Sequence, residues 1–267
     1  MQARKRIVNA EIISNEPIVK GHFVVLLKAP EIASCSKPGQ FVTVKVQQGT
    51  TDPLLRIPLS LYRIEPDKVS LLYKVAGSGT QLLSTKKVGE FVSLLGPLGN
   101  GFDIDIFKGA DNDEAILVGG GCGVAPLYGL AEALIKKGIK TTVFIGARLK
   151  GQVLCESEFM HLNTTVYVST EDGSAGYKGY VADLLEQHIQ TLTHPLKICL
   201  YGSGPNIVLK LLAKIANQLD IPAQLSFESY MACGIGACYG CTVNTRTGYK
   251  LCCKDGPVFD AKIMETE

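Results

Sequence analysis

The sequence predicts an antiparallel β barrel followed by a parallel-sheet α/β domain, with a small cysteine-rich loop segment after them. Three observations predict this. Short β-rich stretches punctuated by Pro and Gly run as far as Phe102, apolar strands alternate with amphipathic helices from Ala115 onward, and five of the nine cysteines fall between residues 233 and 253. With 267 residues, 46% of them hydrophobic, the chain is long enough for two compact domains and an appendage. The expected boundaries are residues 1–103, 104–225 and 226–267.

In the first part, from Arg4 to Phe102, the candidate strands are Ile7–Ser14, His22–Lys28, Phe41–Val46, Leu59–Arg63, Lys68–Val75 and Phe91–Leu95. Turns at Lys37-Pro38-Gly39-Gln40, Glu65-Pro66-Asp67 and Gly96-Pro97 separate them. Short strands at this spacing suit a small barrel, interrupted by one helix over Gly79–Lys86. In the second part, strand Ala115–Val118 leads through a glycine turn into helix Ala125–Lys137. Strands Thr141–Ile145 and Thr165–Ser169, helix Tyr180–Gln190, strand Lys197–Tyr201 and helix Asn206–Leu219 follow. That alternation argues for a parallel sheet covered on both faces. Leu209, Leu212, Ala213 and Ala216 recur at helical spacing and read as core. From Phe227 both rhythms stop, and the segment has too few apolar residues to fold alone; a metal centre would order it.

Composition narrows the function classes. Lys plus Arg number 27 against 25 Asp plus Glu, a formal charge of +2, so neither nucleic acid nor an acidic membrane surface is expected as partner. Trp is absent and 7% of residues are aromatic, which leaves few platforms for base stacking. The opening MQARKRIVNAEIISNE has no apolar stretch of signal-peptide length. The one long apolar run, Ala115–Ala131, holds five glycines and Pro126 and reads as a buried strand, turn and helix. A soluble cytoplasmic protein is expected. Clustered rather than dispersed cysteines fit a reduced compartment and one metal site.

Cys233-Gly-Ile-Gly-Ala-Cys238-Tyr-Gly-Cys241 reads C-x4-C-x2-C, with Cys252 and Cys253 following. This is the spacing of plant-type 2Fe-2S ligation, in which four thiolates converge on two irons. Gly234, Gly236 and Gly240 let the backbone close around the centre and aim N–H groups at the sulfurs. A structural zinc site would more typically draw on two separated C-x2-4-C pairs. Adjacent side chains point different ways, so one of Cys252 and Cys253 is a ligand, and spacing does not choose. Cys35, Cys122, Cys155 and Cys199 read as small core residues.

The turn Gly119-Gly120-Gly121-Cys122-Gly123-Val124-Ala125-Pro126 fails the G-x-G-x-x-G pattern but keeps its physics. Its glycines expose backbone N–H groups at a helix N-terminus, where a pyrophosphate is stabilised. Gly204-Pro205 repeats the arrangement after another strand. Gly119, Gly120, Gly121, Gly123, Gly204 and Pro205 are therefore candidate nucleotide-binding residues, and tight structural turns are the competing reading. Glu171-Asp172-Gly173 sets carboxylates where a ribose could lie, which favours NADH over NADPH; a solvated turn is the alternative. The histidines at 22, 161, 188 and 194 form no constellation, no nucleophile motif is present, and no side chain stands out as catalytic.

Taken in order, these motifs resemble the ferredoxin reductase superfamily with a C-terminal 2Fe-2S segment, and within it the electron-transfer subunits of NAD-dependent dihydroorotate dehydrogenases. The resemblance runs through Pro38-Gly39-Gln40-Phe41, Arg56-Ile57-Pro58-Leu59-Ser60, Gly77-Ser78-Gly79-Thr80, residues 96–102, the glycine turn and Tyr201–Pro205. It ends in Glu228-Ser229-Tyr230-Met231-Ala232 with the cysteine loop, and in Cys253-Lys254-Asp255-Gly256-Pro257-Val258-Phe259. It implies FAD bound by Arg56, Ile57, Pro58, Leu59 and Ser60 and by Tyr73, Lys74, Val75, Gly79 and Thr80, and NAD in the second domain. It implies Cys233, Cys238, Cys241 and Cys253 as ligands, since the family's fourth cysteine immediately precedes Lys-Asp-Gly-Pro-Val-Phe. In related transhydrogenase-type subunits the first ligand position looks like Asp, and here it is Cys233.

Two departures stand out. Ile57 occupies the Arg position of the family's Arg-Pro-x-Ser motif, so Arg56 supplies the charge from next door or backbone N–H groups hold the pyrophosphate unaided. Ser203 stands where many relatives have a cysteine, and reads as a helix cap. The resemblance further implies an oxidoreductase subunit in pyrimidine biosynthesis that passes electrons from dihydroorotate to NAD. Its partner would be an FMN-containing dihydroorotate dehydrogenase catalytic subunit, in a hetero-oligomer of heterotetramer type. A reductase subunit serving another partner, and a zinc-stapled binding module, are the alternatives.

Overall fold

In the computed structural model, which describes residues 5–47, 49, 52–107, 113–192 and 197–265, the chain folds as a barrel, a parallel sheet and a C-terminal segment wedged against both. Arg4 and His194 lie outside the described residues.

The barrel strands are β1 (Arg6–Val19), β2 (His22–Lys28), β3 (Phe41–Lys45), β4 (Ile57–Ile64), β5 (Lys68–Lys74) and β6 (Phe91–Leu98). They close in the order β1-β2-β5-β4-β3-β6, every pair antiparallel. The core is written in period two: Ala10 and Ile12, Val25 and Leu27, Val42 and Val44, Val69 and Leu71, Val92 and Leu94 are buried inside. All six expected strands are present. The first is longer than expected, because its later half leaves β6 and pairs with β2. A one-turn helix α1 (Pro30–Ala33), absent from the sequence reading, plugs one end of the barrel with Ile32. Helix α2 (Ser78–Thr85) begins at Gly77 and is held at its far end by Asn15. The Asn15 side-chain amide donates to the Leu83 and Lys86 carbonyls at 2.9 and 3.1 Å and accepts from the Tyr73 hydroxyl at 3.0 Å.

The second part is built on β7 (Asp113–Gly120), which is buried along its whole length. Helix α3 (Val124–Lys136), β8 (Lys140–Ala147), α4 (Glu156–His161), β9 (Thr165–Thr170), β10 (Tyr177–Lys178), α5 (Val181–Thr191), β11 (Lys197–Ser203), α6 (Asn206–Gln218) and β12 (Ala223–Ser226) follow. The long helices agree with expectation to within a residue at each end, and Leu209, Leu212, Ala213 and Ala216 are buried. The short elements α4, β10 and β12 have too few residues to show a period and were not expected.

The C-terminal segment contributes a hairpin, β13 (Thr242–Thr245) with β14 (Gly248–Leu251), and then β15 (Val258–Asp260). The sheet order is β10-β9-β8-β7-β11-β12-β15, with β15 antiparallel on the edge of an otherwise parallel sheet. The expected third segment therefore shares its core with the second: Phe227, Cys252 and Phe259 pack with Leu209, Leu212 and Leu225. Among the described residues no helix is long and apolar enough to cross a membrane.

Asn15 generates a stability prediction. Asn15→Leu takes a donor from the Leu83 and Lys86 carbonyls and the acceptor from the Tyr73 hydroxyl, at roughly 1–3 kcal/mol. The thermal unfolding midpoint is expected to fall by several degrees; an unchanged midpoint in differential scanning calorimetry would show that the three bonds add nothing.

Candidate flavin and nucleotide cleft with an iron–sulfur loop

The strand order reverses between β7 and β11, because β8 and β9 continue to one side of β7 while β11 and β12 continue to the other. In open α/β sheets this switch point, at the carboxyl ends of the strands, is where ligands bind. Both glycine turns end there. A Cβ on Gly123 would lie 2.4 Å from the Ser203 carbonyl oxygen, so only glycine permits the two turns to touch. Gly204 approaches the backbone of Gly120 in the same way, and Gly119, Gly120 and Gly121 complete the first turn. Ser203 is not a helix cap, correcting the sequence reading: it is the buried last residue of β11, and Pro205 is the residue that precedes α6.

A cleft of about 890 Å³ opens between these turns and the barrel. Pro58, Leu59, Ser60 and Tyr73 come from the barrel, Cys122 and Ala125 from the first turn, Gly204, Pro205 and Asn206 from the second. The stretch Phe227–Ala232 and Gly240 form the remaining wall. Six of the expected cofactor residues thus face one space: Pro58, Leu59, Ser60, Tyr73, Gly204 and Pro205.

Others stand away from it. Arg56 donates to the Ser93 carbonyl and hydroxyl, both at 3.0 Å, and to the Thr43 carbonyl at 3.4 Å, so its guanidinium ties the start of β4 to β3 and β6. The Ile57 side chain rests on Gly79, where an added Cβ would meet it at 2.8 Å. Lys74 and Val75 precede α2, and Gly79 and Thr80 form its first turn, outside the cleft lining. Thr80 accepts from the N–H groups of Ala76 and Gly77 at 2.9 and 3.1 Å and so shapes the entry to the helix. Tyr73 meets the cleft while its ring is 1% exposed, stacked on Phe23 with centroids 5.7 Å apart. Burial pushes its hydroxyl up to about 12, against the pull of the Asn15 hydrogen bond.

In the sequence Glu228–Ala232 stands out only as a motif, and Cys122 reads as core. Cys122 is half-buried and lines the cleft, its thiol pushed up to about 11 by burial and then by Glu228. Glu228 makes no hydrogen bond or ion pair among the described residues. Solvent reaches it through the cleft mouth, yet the walls desolvate its carboxyl enough to raise its pKa. Position directly ahead of the first cluster cysteine was the one signal for this wall. No described histidine lines the cleft.

The cysteine loop lies behind that wall. Cys233 accepts from the N–H groups of Ile235, Ala237 and Cys238 at 3.5, 3.3 and 3.4 Å. Cys238 accepts from Gly240 at 3.5 Å, and Cys241 from Cys253 at 3.4 Å. Burial alone would raise the Cys233 pKa, but these N–H groups outweigh it and bring the thiol down to about 6. Cys233 faces Cys238, and Cys253 faces Cys241. Cys253 is pushed up to about 12, first by burial and then by its bond to Cys241. Among the described residues no three metal-binding side chains surround a single point. Two facing pairs, each within reach of one iron, fit a two-iron centre, and sulfurs ringed by N–H donors fit thiolate ligands. Gly234 has φ +68° and approaches Thr43 of β3, so the loop is seated on the barrel. Cys252 turns the other way: it is fully buried and donates its S–H to the Phe227 carbonyl at 3.2 Å.

Residues 228–265 match the iron-sulfur cluster binding domain of dihydroorotate dehydrogenase B, and residues 117–210 match the oxidoreductase NAD-binding domain. The dihydroorotate dehydrogenase B (NAD(+)) electron transfer subunit of Geobacillus sp. (strain WCH70) is 42% identical over 255 residues, covering 94% of this chain and 95% of that protein. The chain belongs to this family of electron transfer subunits. The corresponding subunit of Desulforamulus reducens is 34% identical over 95% of the chain and 96% of its own length. Among solved structures, the NADH-dependent reduced ferredoxin-NADP oxidoreductase superposes with a TM-score of 0.83 at 30% identity, over 96% of this chain and 89% of that one. A ferredoxin NADP+ reductase from Neisseria gonorrhoeae, at 17% identity and a TM-score of 0.64 over 80% of this chain and 91% of that one, shares the fold.

For this electron transfer subunit the ligand set is testable. Cys253→Ser is expected to lose iron, whereas Cys252→Ser, whose hydroxyl can make the same bond to Phe227, is expected to keep it. Iron and acid-labile sulfide content of the two proteins is the measurement, and the reverse result rejects the assignment.

Proposed function

We propose that this subunit carries electrons from an FMN-containing dihydroorotate dehydrogenase catalytic subunit to NAD+, through a 2Fe-2S centre and FAD. The observation that carries the reading is the shared wall. Ala232 and Gly240 line the cleft and are peptide-bonded to Cys233 and Cys241. A flavin in the cleft would therefore lie within a residue's breadth of the metal ligands. When bound, the flavin exchanges a hydride with the nicotinamide and single electrons with the iron–sulfur centre.

The protein's own residues orient and enclose. Backbone from β4 (Pro58–Ser60) and β5 (Tyr73) supplies a rigid flavin wall, with the Tyr73 ring locked in the barrel. With Arg56 engaged on Ser93 and Thr43, the leading N–H groups of α2, at Gly79 and Thr80, are the donors for the FAD pyrophosphate. The turns Gly119–Gly123 and Gly204–Pro205 receive the NAD pyrophosphate at the switch point. Cys233, Cys238, Cys241 and Cys253 hold the cluster. No residue is assigned a covalent role.

Tyr230, Tyr239 and Tyr249 are 97%, 70% and 79% exposed around the cysteine loop, with Ile235 beside them. Large aromatics so exposed are typical of protein interfaces, and they support docking of the catalytic subunit where the cluster approaches the surface. None of the nine cysteines is paired in a disulfide, which supports a cytoplasmic setting.

Glu171 carries the nucleotide preference. Asp172 turns its carboxylate onto Ser174, accepting from its N–H and hydroxyl at 2.9 and 2.6 Å, and Ser174 accepts from the Lys150 N–H at 2.7 Å. Asp172 thus ties the loops after β8 and β9 together and leaves Glu171 to face a ribose. NADH is expected to bleach the flavin several-fold faster than NADPH, and Glu171→Gln to narrow that ratio. Equal rates for the two nucleotides in stopped-flow absorbance would remove the role. For the relay itself, the test is the visible spectrum before and after anaerobic NADH, with co-purification of an FMN subunit that forms orotate. A colourless protein with stoichiometric zinc would sink it.

A further inference from the structure

Lys254 directly follows the ligand Cys253, and its side chain does not extend freely. Its stem lies across Gly236 in the cysteine loop: a Cβ there would meet Lys254 Cδ, Cβ and Cγ at 3.0, 3.2 and 3.5 Å. Gly236 has φ +85°, and its N–H points at the sulfur of Cys253. The N–H groups of its neighbours Ile235 and Ala237 point at the sulfur of Cys233. The lysine stem therefore covers the piece of backbone that contacts one sulfur of each facing pair.

The Lys254 backbone is held as well. Its N–H donates to the Leu251 carbonyl at 3.0 Å, and its carbonyl accepts from the Asn100 amide at 3.2 Å. No anion neutralises its ammonium among the described residues. The adjacent Asp255 turns its carboxylate to the Leu251 N–H at 2.7 Å, and Lys250, lining the same shallow hollow, likewise has no ion pair among the described residues.

We propose that Lys254 raises the reduction potential of the iron–sulfur centre by holding a fixed positive charge over the loop that carries its ligands. The inference rests on the reading of the four cysteines as cluster ligands. Reduction adds one electron and no proton, so the centre becomes more negative by one unit. A fixed cation nearby therefore favours the reduced form. Gly236 has a second meaning in this light: any larger residue would push the stem off the loop.

Solvent reaches the ammonium and screens it, which limits the effect. Removing the charge is expected to cut the cluster's reduced-to-oxidised ratio at a given potential by roughly three- to tenfold, tenfold being about 59 mV for a one-electron couple.

The test is an anaerobic redox titration of the cluster, followed by electron paramagnetic resonance, in the full flavin- and iron-loaded complex. Wild type, Lys254→Met, Lys254→Arg and Lys254→Ala are compared at matched iron content. Methionine keeps an apolar stem without the charge and is expected to lower the midpoint, and arginine to restore it. Alanine is expected to match methionine in potential and to lose cluster absorbance faster in air. An unchanged midpoint in Lys254→Met overturns the proposal. So does weaker binding of the catalytic subunit by that variant with no shift in midpoint, since the charge would then be a docking contact. Absence of iron from the wild type would instead overturn the reading of the cysteines.

Discussion

The pairing of β15 with β12 is the constraint on which the rest of the molecule depends. Three residues, Val258 to Asp260, join the edge of the parallel sheet, and Phe227 closes the pairing with an N–H bond to the Pro257 carbonyl at 2.9 Å. The cysteine loop is thereby tethered at both ends, by Phe227 on entry and Pro257 on exit. A loop of this composition buries too little apolar surface to order itself. Anchored at both ends, it needs to lose far less entropy before the thiols converge.

The same anchoring brings three parts of the chain to one place. Asn100, from the barrel's last turn, donates its N–H to the Gly256 carbonyl at 2.6 Å, and its side-chain amide bonds the Lys254 and Asp255 carbonyls. Gly234 rests on β3. Barrel, sheet and cysteine loop are locked into one corner, and the cleft is the space left between them. Electron transfer through such an arrangement needs proximity and fixed orientation more than acid–base chemistry, which accords with a cleft wall that holds few titratable groups.

Electrostatics divides along the same line. On the cluster side, backbone N–H groups face the sulfurs, and Lys250 and Lys254, without an ion pair among the described residues, lie nearby. On the cleft side the lining is mostly apolar, and both Cys122 and Glu228 are pushed toward their neutral forms by burial. The chain thus presents donors where negative charge must reside and low polarity where an aromatic ring system would sit.

The amino-acid sequence by itself determined the elements whose signal is local. Barrel strands announce themselves by period two, α3, α5 and α6 by period 3.6, and the iron–sulfur loop by the spacing of Cys233, Cys238 and Cys241. Family resemblance, not spacing, pointed to Cys253, and the structure supplies a physical reason, since Cys252 is turned into the core. What only the tertiary structure decided involves partners far apart in sequence. Arg56 reads as a phosphate ligand in the sequence, and only the fold shows that its guanidinium also bonds Ser93, 37 residues away. Tyr73 is claimed by Asn15, 58 residues away, and Glu228 becomes a cleft residue only because the barrel lies opposite it. Strand β15 has three residues, too few for any period, and exists because the edge of β12 offers unpaired N–H and C=O groups. Local spacing encodes what a residue can bind, but which groups remain free to bind it is settled by contacts that close only when the whole chain folds.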